Sequence, residues 1–333
     1  MSRDIYLGPV EYYLPKKKIT NDDISSLNSN WNNSSIENKI GISNRNVLEK
    51  NSSSLDSAIN AVNLFFKKNK CVNEKKIDAI LFCSQTPPIL IPPCSFIIQS
   101  QFNFKKDFIC LDYNLGCSGY PFGLFLAKSI MISNSLNNLL LVTSDAYSKR
   151  IDSNDYNNLS LFGDSATCSL ITSEKENSFC LMKLGNNYNY SDGLNSLALY
   201  HNEKKLDLSN YYNPETFINS SIFHMDGKRV FKFTLDELPG AINKTLLANN
   251  IKSINEIDLF IFHQPNTYML KSIAKKCKIP AEKVVIDIKD YGNTVSSSIP
   301  IVISNLSDIK RKSKVLVIGF GVGLSISGII LSN

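Results

Sequence analysis

The stretches "KIDAILFCSQTP" (76–87) and "EIDLFIFHQPNT" (256–267) are two copies of one pattern, with Ile77 answering Ile257, Asp78 answering Asp258 and Cys83 answering His263, 180 positions apart. Further along, "LGCSG" (115–119) resembles "YGNTV" (291–295), which sets Cys117 opposite Asn293, 176 positions apart. "LLLVTSD" (139–145) then answers "VLVIGFG" (315–321). Near-equal displacements in the same order mark a duplicated unit. The join falls near residues 175–185, dividing the chain into an N-terminal half, 1–180, that carries Cys117 and a C-terminal half, 181–333, that carries His263 and Asn293.

Working outward from the repeat, short apolar runs of strand length recur: "IDAILFC" (77–83), "FICLDY" (108–113), "NLLLVTSD" (138–145), "ATCSLIT" (166–172), "IDLFIFH" (257–263), "KVVIDI" (283–288) and "KVLVIGF" (314–320). Most are apolar on both faces, the pattern of central strands covered on each side by helices. Helical segments such as "SLDSAINAVNLFFKK" (54–68) and "TYMLKSIAKKCK" (267–278) lie between them. The alternation predicts an α/β protein built in layers. The polar, Asn- and Tyr-rich segment 184–217 reads as a surface insertion that shapes specificity.

At 333 residues, 43% hydrophobic and 20% charged, the chain has an ordinary globular composition with room for two halves around a large core. A net charge of +6 is mild. It leaves room for an acidic partner and gives no reason to expect nucleic acid. Eight cysteines are scattered singly, without the paired spacing of a disulfide framework or a zinc site, and no signal peptide is read at the start. Reduced thiols, a cytoplasmic location and no metal are therefore expected. No apolar run approaches the roughly 20 residues that span a bilayer, so no membrane association is expected.

Three turns carry unusual residues. In "DYNLGCSGYPFGLFLAK" (112–128) a cysteine sits between glycines at the start of an apolar helix, where N–H groups and the helix dipole favour a thiolate. That placement predicts a Cys117 pKa lowered from about 8.5 towards 7 or below. His263 ends a strand and is followed by a turn, and Asn293 follows Gly292. Singly, these are a packing thiol, a core histidine and a turn dipeptide. In a duplicated layered fold, equivalent turns converge at the carboxyl ends of the strands. Together they suit thioester chemistry: the thiolate is acylated, and two hydrogen-bond donors stabilise an oxyanion or enolate. "GFGVGLSISG" (319–328) opens no βαβ unit, so it reads as a backbone turn beside the thiol, with Gly321, Val322 and Gly323 at its tip.

The series "NLGCSGYPFGL", "FGDSAT" (162–167), "MDGKRVFKF" (225–233), "FHQPN" (262–266), "YGNTVSSSIP" (291–300) and "GFGVGLS" resembles the motifs of the β-ketoacyl-acyl-carrier-protein synthase III family, in order and over nearly the whole chain. The resemblance implies a thiolase-like fold, two duplicated βαβ-type halves forming a layered αβαβα body. It implies a condensing enzyme that needs no cofactor and takes acyl-coenzyme A or acyl-carrier-protein and malonyl thioesters as substrates, in fatty-acid initiation or specialised, polyketide-like metabolism. Cys117 then matches the acylated nucleophile, and His263 and Asn293 the pair that promotes decarboxylation. The N–H groups of Cys117 and Val322 resemble the oxyanion hole, and Phe231 a residue beside the pantetheine tunnel. "IPPCSF" (91–96) is similar to the segment that crosses a homodimer interface, which places Ile91 in the neighbouring subunit's acyl pocket. Lys232, Lys275 and Lys276 align with basic residues that receive an acidic carrier protein.

The chain departs from the family at three points. Ser35 stands where a tryptophan stacks on the coenzyme A adenine, Trp31 lying upstream; Lys39 stands where arginine is common; and Tyr268 replaces the arginine after "HQPN". These departures favour a specialised starter unit or a carrier-protein donor. The alternatives are an acyltransferase that passes its acyl group to an oxygen or nitrogen acceptor without condensation, and an inactive partner subunit of a synthase pair.

Overall fold

The computed structural model describes residues 3–27, 33–189, 197–201, 204–205, 222–306, 309 and 314–333. In the first half β1 (Tyr6–Tyr13) is followed by β2 (Lys17–Thr20), α1 (Asn21–Leu27), α2 (Asn33–Ile40) and β3 (Asn44–Val47), with β2 and β3 paired antiparallel. Then come α3 (Ser54–Lys68), β4 (Ala79–Cys83), α4 (Cys94–Ser100), β5 (Ile109–Tyr113), α5 (Gly119–Ser133), β6 (Asn138–Asp145), the short α6 (Tyr156–Leu159) and β7 (Ser165–Thr172). The second half begins with β8 (Cys180–Asn189) and a small sheet of β9 (Leu197–His201), β10 (Lys204–Lys205) and β11 (Ile222–Met225). It continues through α7 (Gly227–Ala248), β12 (Leu259–Phe262), α8 (Thr267–Lys276), α9 (Ser298–Asn305), β13 (Lys314–Gly321) and β14 (Ser325–Ser332).

The duplication read from the sequence is visible in the ladder. One nine-stranded sheet runs β5-β4-β6-β7-β1-β8-β14-β13-β12. In the first half β4 is parallel to β5 and β6, then β7 and β1 run antiparallel. In the second half β12 is parallel to β13, then β14 and β8 run antiparallel in the same order. The halves join where β1 pairs with β8 through Tyr6–Leu181 and Leu7–Cys180.

Burial on both faces of each strand creates the layers. In β4, Ala79 and Leu81 face a core filled by Tyr120, Leu124 and Met131 of α5 and Val302 and Ile303 of α9; Ile261 and Val317 reach the same core from the other half. Ile80 and Phe82 face the opposite way, onto Ala58, Val62 and Phe65 of α3 and Ile98 of α4. Leu238 and Ile242 of α7, with Leu270 and Ile273 of α8, cover Phe260, Phe262 and Leu316 likewise. The result is a five-layered αβαβα body with α5 and α9 in the middle, and burying each large apolar side chain contributes about 1.5–3 kcal/mol. Helix starts are set locally. A reciprocal Ser53–Asp56 capping box opens α3, and Pro121 lies in the first turn of α5, where its missing N–H costs nothing.

"KVVIDI" does not form the predicted strand. Only a parallel bridge of Val284 to Phe260 stands where the first half has β5. The reason is Gln264, whose buried side chain replaces the ladder: its Nε2 donates to the Val285 carbonyl at 3.2 Å and its Oε1 accepts the Asp287 N–H at 3.0 Å.

Candidate active site

Cys117 sits on the turn immediately before α5, and three glycines explain how the backbone passes there. A Cβ on Gly116 would lie 2.2 Å from Gln85 Oε1, and one on Gly119 would lie 2.5 Å from Cys83 Sγ. From the other half, Gly321 adopts φ +153°, and a Cβ there would lie 2.9 Å from Cys117 Cβ and 3.1 Å from its Sγ. The glycine-rich segment thus passes beside the thiol, as read from the sequence, although its turn is confined to 322–324 between β13 and β14, and at Gly321, the end of β13, only glycine meets both the dihedral and the space.

His263 is the first residue beyond β12, fixed by its N–H to the Ile318 carbonyl at 2.9 Å and by a T-shaped contact with the Phe320 ring at 5.7 Å. Its Nδ1 lies 2.8 Å from Ser298 Oγ, while its buried Nε2 has no hydrogen-bond partner. Burial holds the imidazole down at about 3, so the ring is neutral at working pH. Asn293 hangs from the "FGDSAT" loop: its N–H donates to the Leu161 carbonyl at 2.8 Å and its carbonyl accepts the Gly163 N–H at 3.0 Å. The Asn293 Oδ1 accepts the Val295 N–H at 2.9 Å, which turns the NH2 group outward as a donor. Val295 holds φ +53°, a strained value for a β-branched residue that costs on the order of 1–3 kcal/mol.

Cys117, His263 and Asn293 line one cavity of about 620 Å³, open mouth included, together with Gly321 and Val322. Its walls are mostly apolar. Tyr147, Phe162 and Phe223 form an aromatic cluster there, Tyr147 stacking on Phe162 at 5.0 Å and meeting Phe223 edge-on at 4.9 Å. Tyr147 and Phe223 were not singled out from the sequence, because nothing in their local pattern distinguishes them from core aromatics. Ser298 was missed for a similar reason: it is one of three consecutive serines, and only the fold shows which of them meets the imidazole.

The expected low Cys117 pKa is not found. The thiol is only 8% exposed, and burial pushes its pKa well up, with the charge of buried Asp145 adding to the shift. Desolvation outweighs the helix N-terminus, so the resting group is a thiol. Asp145 is itself raised to about 7, chiefly by burial, although it accepts the Gln85 N–H at 2.8 Å and the Ser296 hydroxyl.

Other expected residues lie elsewhere. Gly323 does not line the cavity; a Cβ there would meet Ser325. Phe231 is also outside the lining and stacks on Tyr268 at 5.7 Å. Ile91 is 85% exposed and does not line this chain's own cavity. Lys232 on α7 and Lys275 and Lys276 on α8 are exposed, on helices that pack together. Trp31, the Ser35 side chain and most of the 184–217 segment fall outside the described residues. Among the described residues no group of three His, Cys, Asp or Glu side chains could hold a metal ion, and no helix is long and apolar enough to cross a membrane.

Comparison with known proteins shows the family of the whole chain. Residues 111–187 match the family model described as 3-oxoacyl-[acyl-carrier-protein] synthase III, and residues 247–332 match the model of its C-terminal part. The chain is 30% identical over 327 residues to a β-ketoacyl-[acyl-carrier-protein] synthase III 2 of Halalkalibacterium halodurans, covering 96% of this chain and 93% of that one. It is 31% identical to a β-ketoacyl-[acyl-carrier-protein] synthase III of Wolbachia pipientis subsp. Culex pipiens, covering 96% of each. A crystal structure of a 3-oxoacyl-(acyl-carrier protein) synthase from Burkholderia xenovorans superposes with a TM-score of 0.87 at 28% identity, over 99% of this chain and 94% of that one. These matches over nearly the whole chain show that it belongs to the β-ketoacyl-[acyl-carrier-protein] synthase III family of acyltransferase-type condensing enzymes.

Proposed function

We propose that the enzyme runs a two-stage decarboxylative Claisen condensation in which Cys117 is the nucleophile and His263 and Asn293 are the donors that hold the enolate. The observation that supports this reading is the meeting of a thiol, an unpartnered imidazole nitrogen and an oriented amide NH2 on one apolar cavity. In the first stage Cys117 Sγ attacks the carbonyl carbon of an acyl thioester, with the oxyanion against the N–H groups of Cys117 and Val322. The carbon–sulfur bond to the donor breaks, and the Cys117 proton leaves with the departing thiol.

In the second stage a malonyl thioester enters. Its carboxylate leaves as carbon dioxide, and the electron pair of that bond forms an enolate whose oxygen accepts from His263 and Asn293. A neutral imidazole suits this, because a buried imidazolium would be costly in so apolar a cavity. The enolate carbon then attacks the acyl group on Cys117, and the released sulfur takes up a proton. Each donor is worth about 2.7–4 kcal/mol at the transition state.

The exposed lysines Lys232, Lys275 and Lys276 receive an acidic carrier protein bearing the malonyl group. Such charges act on association and are screened by salt. Changing Lys275 and Lys276 to Glu will raise KM for a malonyl carrier protein at low salt and leave a small malonyl thioester mimic nearly unaffected. Equal loss with both substrates would move these lysines out of docking.

A second copy of the chain covers the face formed by edge strand β5 and the loop before α4. Leu90 and Ile91 on that loop and Phe96 in α4 are exposed at 68%, 85% and 50%, large apolar side chains that a second copy would take out of water. Ile91 would then wall the partner's acyl pocket. Light scattering tests this: a mass of two chains is expected, and a monomer would contradict it.

A further inference from the structure

A donor role for His263 requires a particular tautomer, and the groups around Nδ1 show what sets it. His263 lines the cavity, and with Nδ1 taken up by Ser298 the ring nitrogen left for a ligand there is Nε2, which is buried and without a partner. To donate to an enolate oxygen it must carry the ring proton, and Nδ1 must then be an acceptor. The Val295 backbone also hydrogen-bonds the imidazole, and since Nε2 has no partner this interaction falls on the Nδ1 side; a carbonyl can only accept, so it favours a proton on Nδ1 and a bare Nε2. The Ser298 hydroxyl, 2.8 Å from Nδ1, can donate.

Ser298 Oγ already accepts the Gln264 N–H at 3.3 Å, and its one proton has two places to go, Nδ1 at 2.8 Å or the Val295 carbonyl at 3.0 Å. The shorter contact is to the imidazole. The hydroxyl is itself held fast: Ser298 is 1% exposed, at the first residue of α9 in the central layer.

We propose that Ser298 is the positioning residue of this site: its hydroxyl donates to His263 Nδ1 and so keeps the proton on Nε2, as a donor into the cavity. This rests on the reading of His263 as an enolate-stabilising donor. It adds a residue that touches no substrate and acts through the imidazole alone. Without the hydroxyl, the Val295 carbonyl draws the proton to Nδ1, and the lone pair left on Nε2 repels the enolate oxygen.

The test is nitrogen-15 NMR of the imidazoles in the full-length protein, joined to separate assays of the two stages. The chain has three histidines, His201, His224 and His263, and the His263 signals are assigned as those lost in His263→Asn. In the wild type, Nε2 is expected to carry the proton. In Ser298→Ala the proton moves to Nδ1 and decarboxylation falls about 10²–10³-fold, the range for one lost donor. Acylation of Cys117 changes little, and Ser298→Thr, which keeps a hydroxyl, restores the wild-type tautomer and most of the rate. A wild-type His263 protonated on Nδ1 overturns the proposal without any variant having to fold. Ser298→Ala with Nε2 still protonated and decarboxylation intact overturns it as well. If the wild type shows protonated Nε2 and yet decarboxylates no malonyl thioester, the donor role of His263 fails while the tautomer assignment stands.

Discussion

Incubated with an acyl-coenzyme A, the Cys117→Ala variant will gain no acyl mass, whereas the wild-type chain will gain one acyl group. Of the eight cysteines, Cys117 is the thiol that lines the cavity; Cys83, Cys94, Cys168 and Cys180 are buried elsewhere. The variant keeps its fold, because losing one small buried sulfur costs on the order of 1 kcal/mol. Intact-mass spectrometry beside a thermal melt reads both quantities. An acyl adduct persisting in the variant would show that another residue is the nucleophile. Because burial raises the Cys117 pKa, alkylation of the free enzyme by iodoacetamide should still be climbing as the pH passes 9. A plateau near pH 7 would mean that the helix N-terminus outweighs burial.

Removing one enolate donor while leaving the nucleophile in place separates the two stages. His263→Ala and Asn293→Ala will each accept the acyl group on Cys117, and each will lose about 10²–10³-fold in decarboxylation of a malonyl thioester, or about 2.7–4 kcal/mol. In Asn293→Ala the backbone ties to Leu161 and Gly163, which do not involve the side chain, remain, while the NH2 is lost together with the acceptor of the Val295 N–H, so a thermal melt accompanies this variant. Release of labelled carbon dioxide under single-turnover conditions measures the effect. Near-wild-type release in either variant would remove that residue from enolate stabilisation.

How much of this was legible in the sequence follows from the physics of each element. Strands β4, β6, β12 and β13 are buried on both faces and read as continuous apolar runs, so their alignment across the halves revealed the duplication. The seam strands were not legible. "YLGPVEYY" in β1 is partly exposed and interrupted by Gly8 and Pro9, and its partner β8 passes into the polar "GNNYN". The turn reading of 319–328 also hid the start of β14, where Gly328 sits inside a fully buried strand. Conversely, "KVVIDI" looked like a strand, but a side chain two residues beyond β12 takes its hydrogen bonds.

At the site, Cys117, His263 and Asn293 could be named because each stands at an equivalent strand end or turn, and topology then brings such positions together. The ionisation of Cys117 could not be named, because it depends on how deeply the fold buries the thiol and on Asp145, 28 positions away in sequence. The aromatic wall was likewise hidden, since Tyr147 and Phe223 come from different halves and meet only in three dimensions.

The most direct test of the whole account follows the acyl group through one turnover. The protein is loaded with an acyl-coenzyme A, the adduct on Cys117 is confirmed by intact mass, and malonyl carrier protein with a labelled free carboxyl is added. The account predicts that the adduct disappears with release of one labelled carbon dioxide per acyl group, while the acyl group reappears in a β-ketoacyl thioester. An adduct that survives the malonyl thioester, or one discharged to another acceptor with no carbon dioxide released, would contradict it.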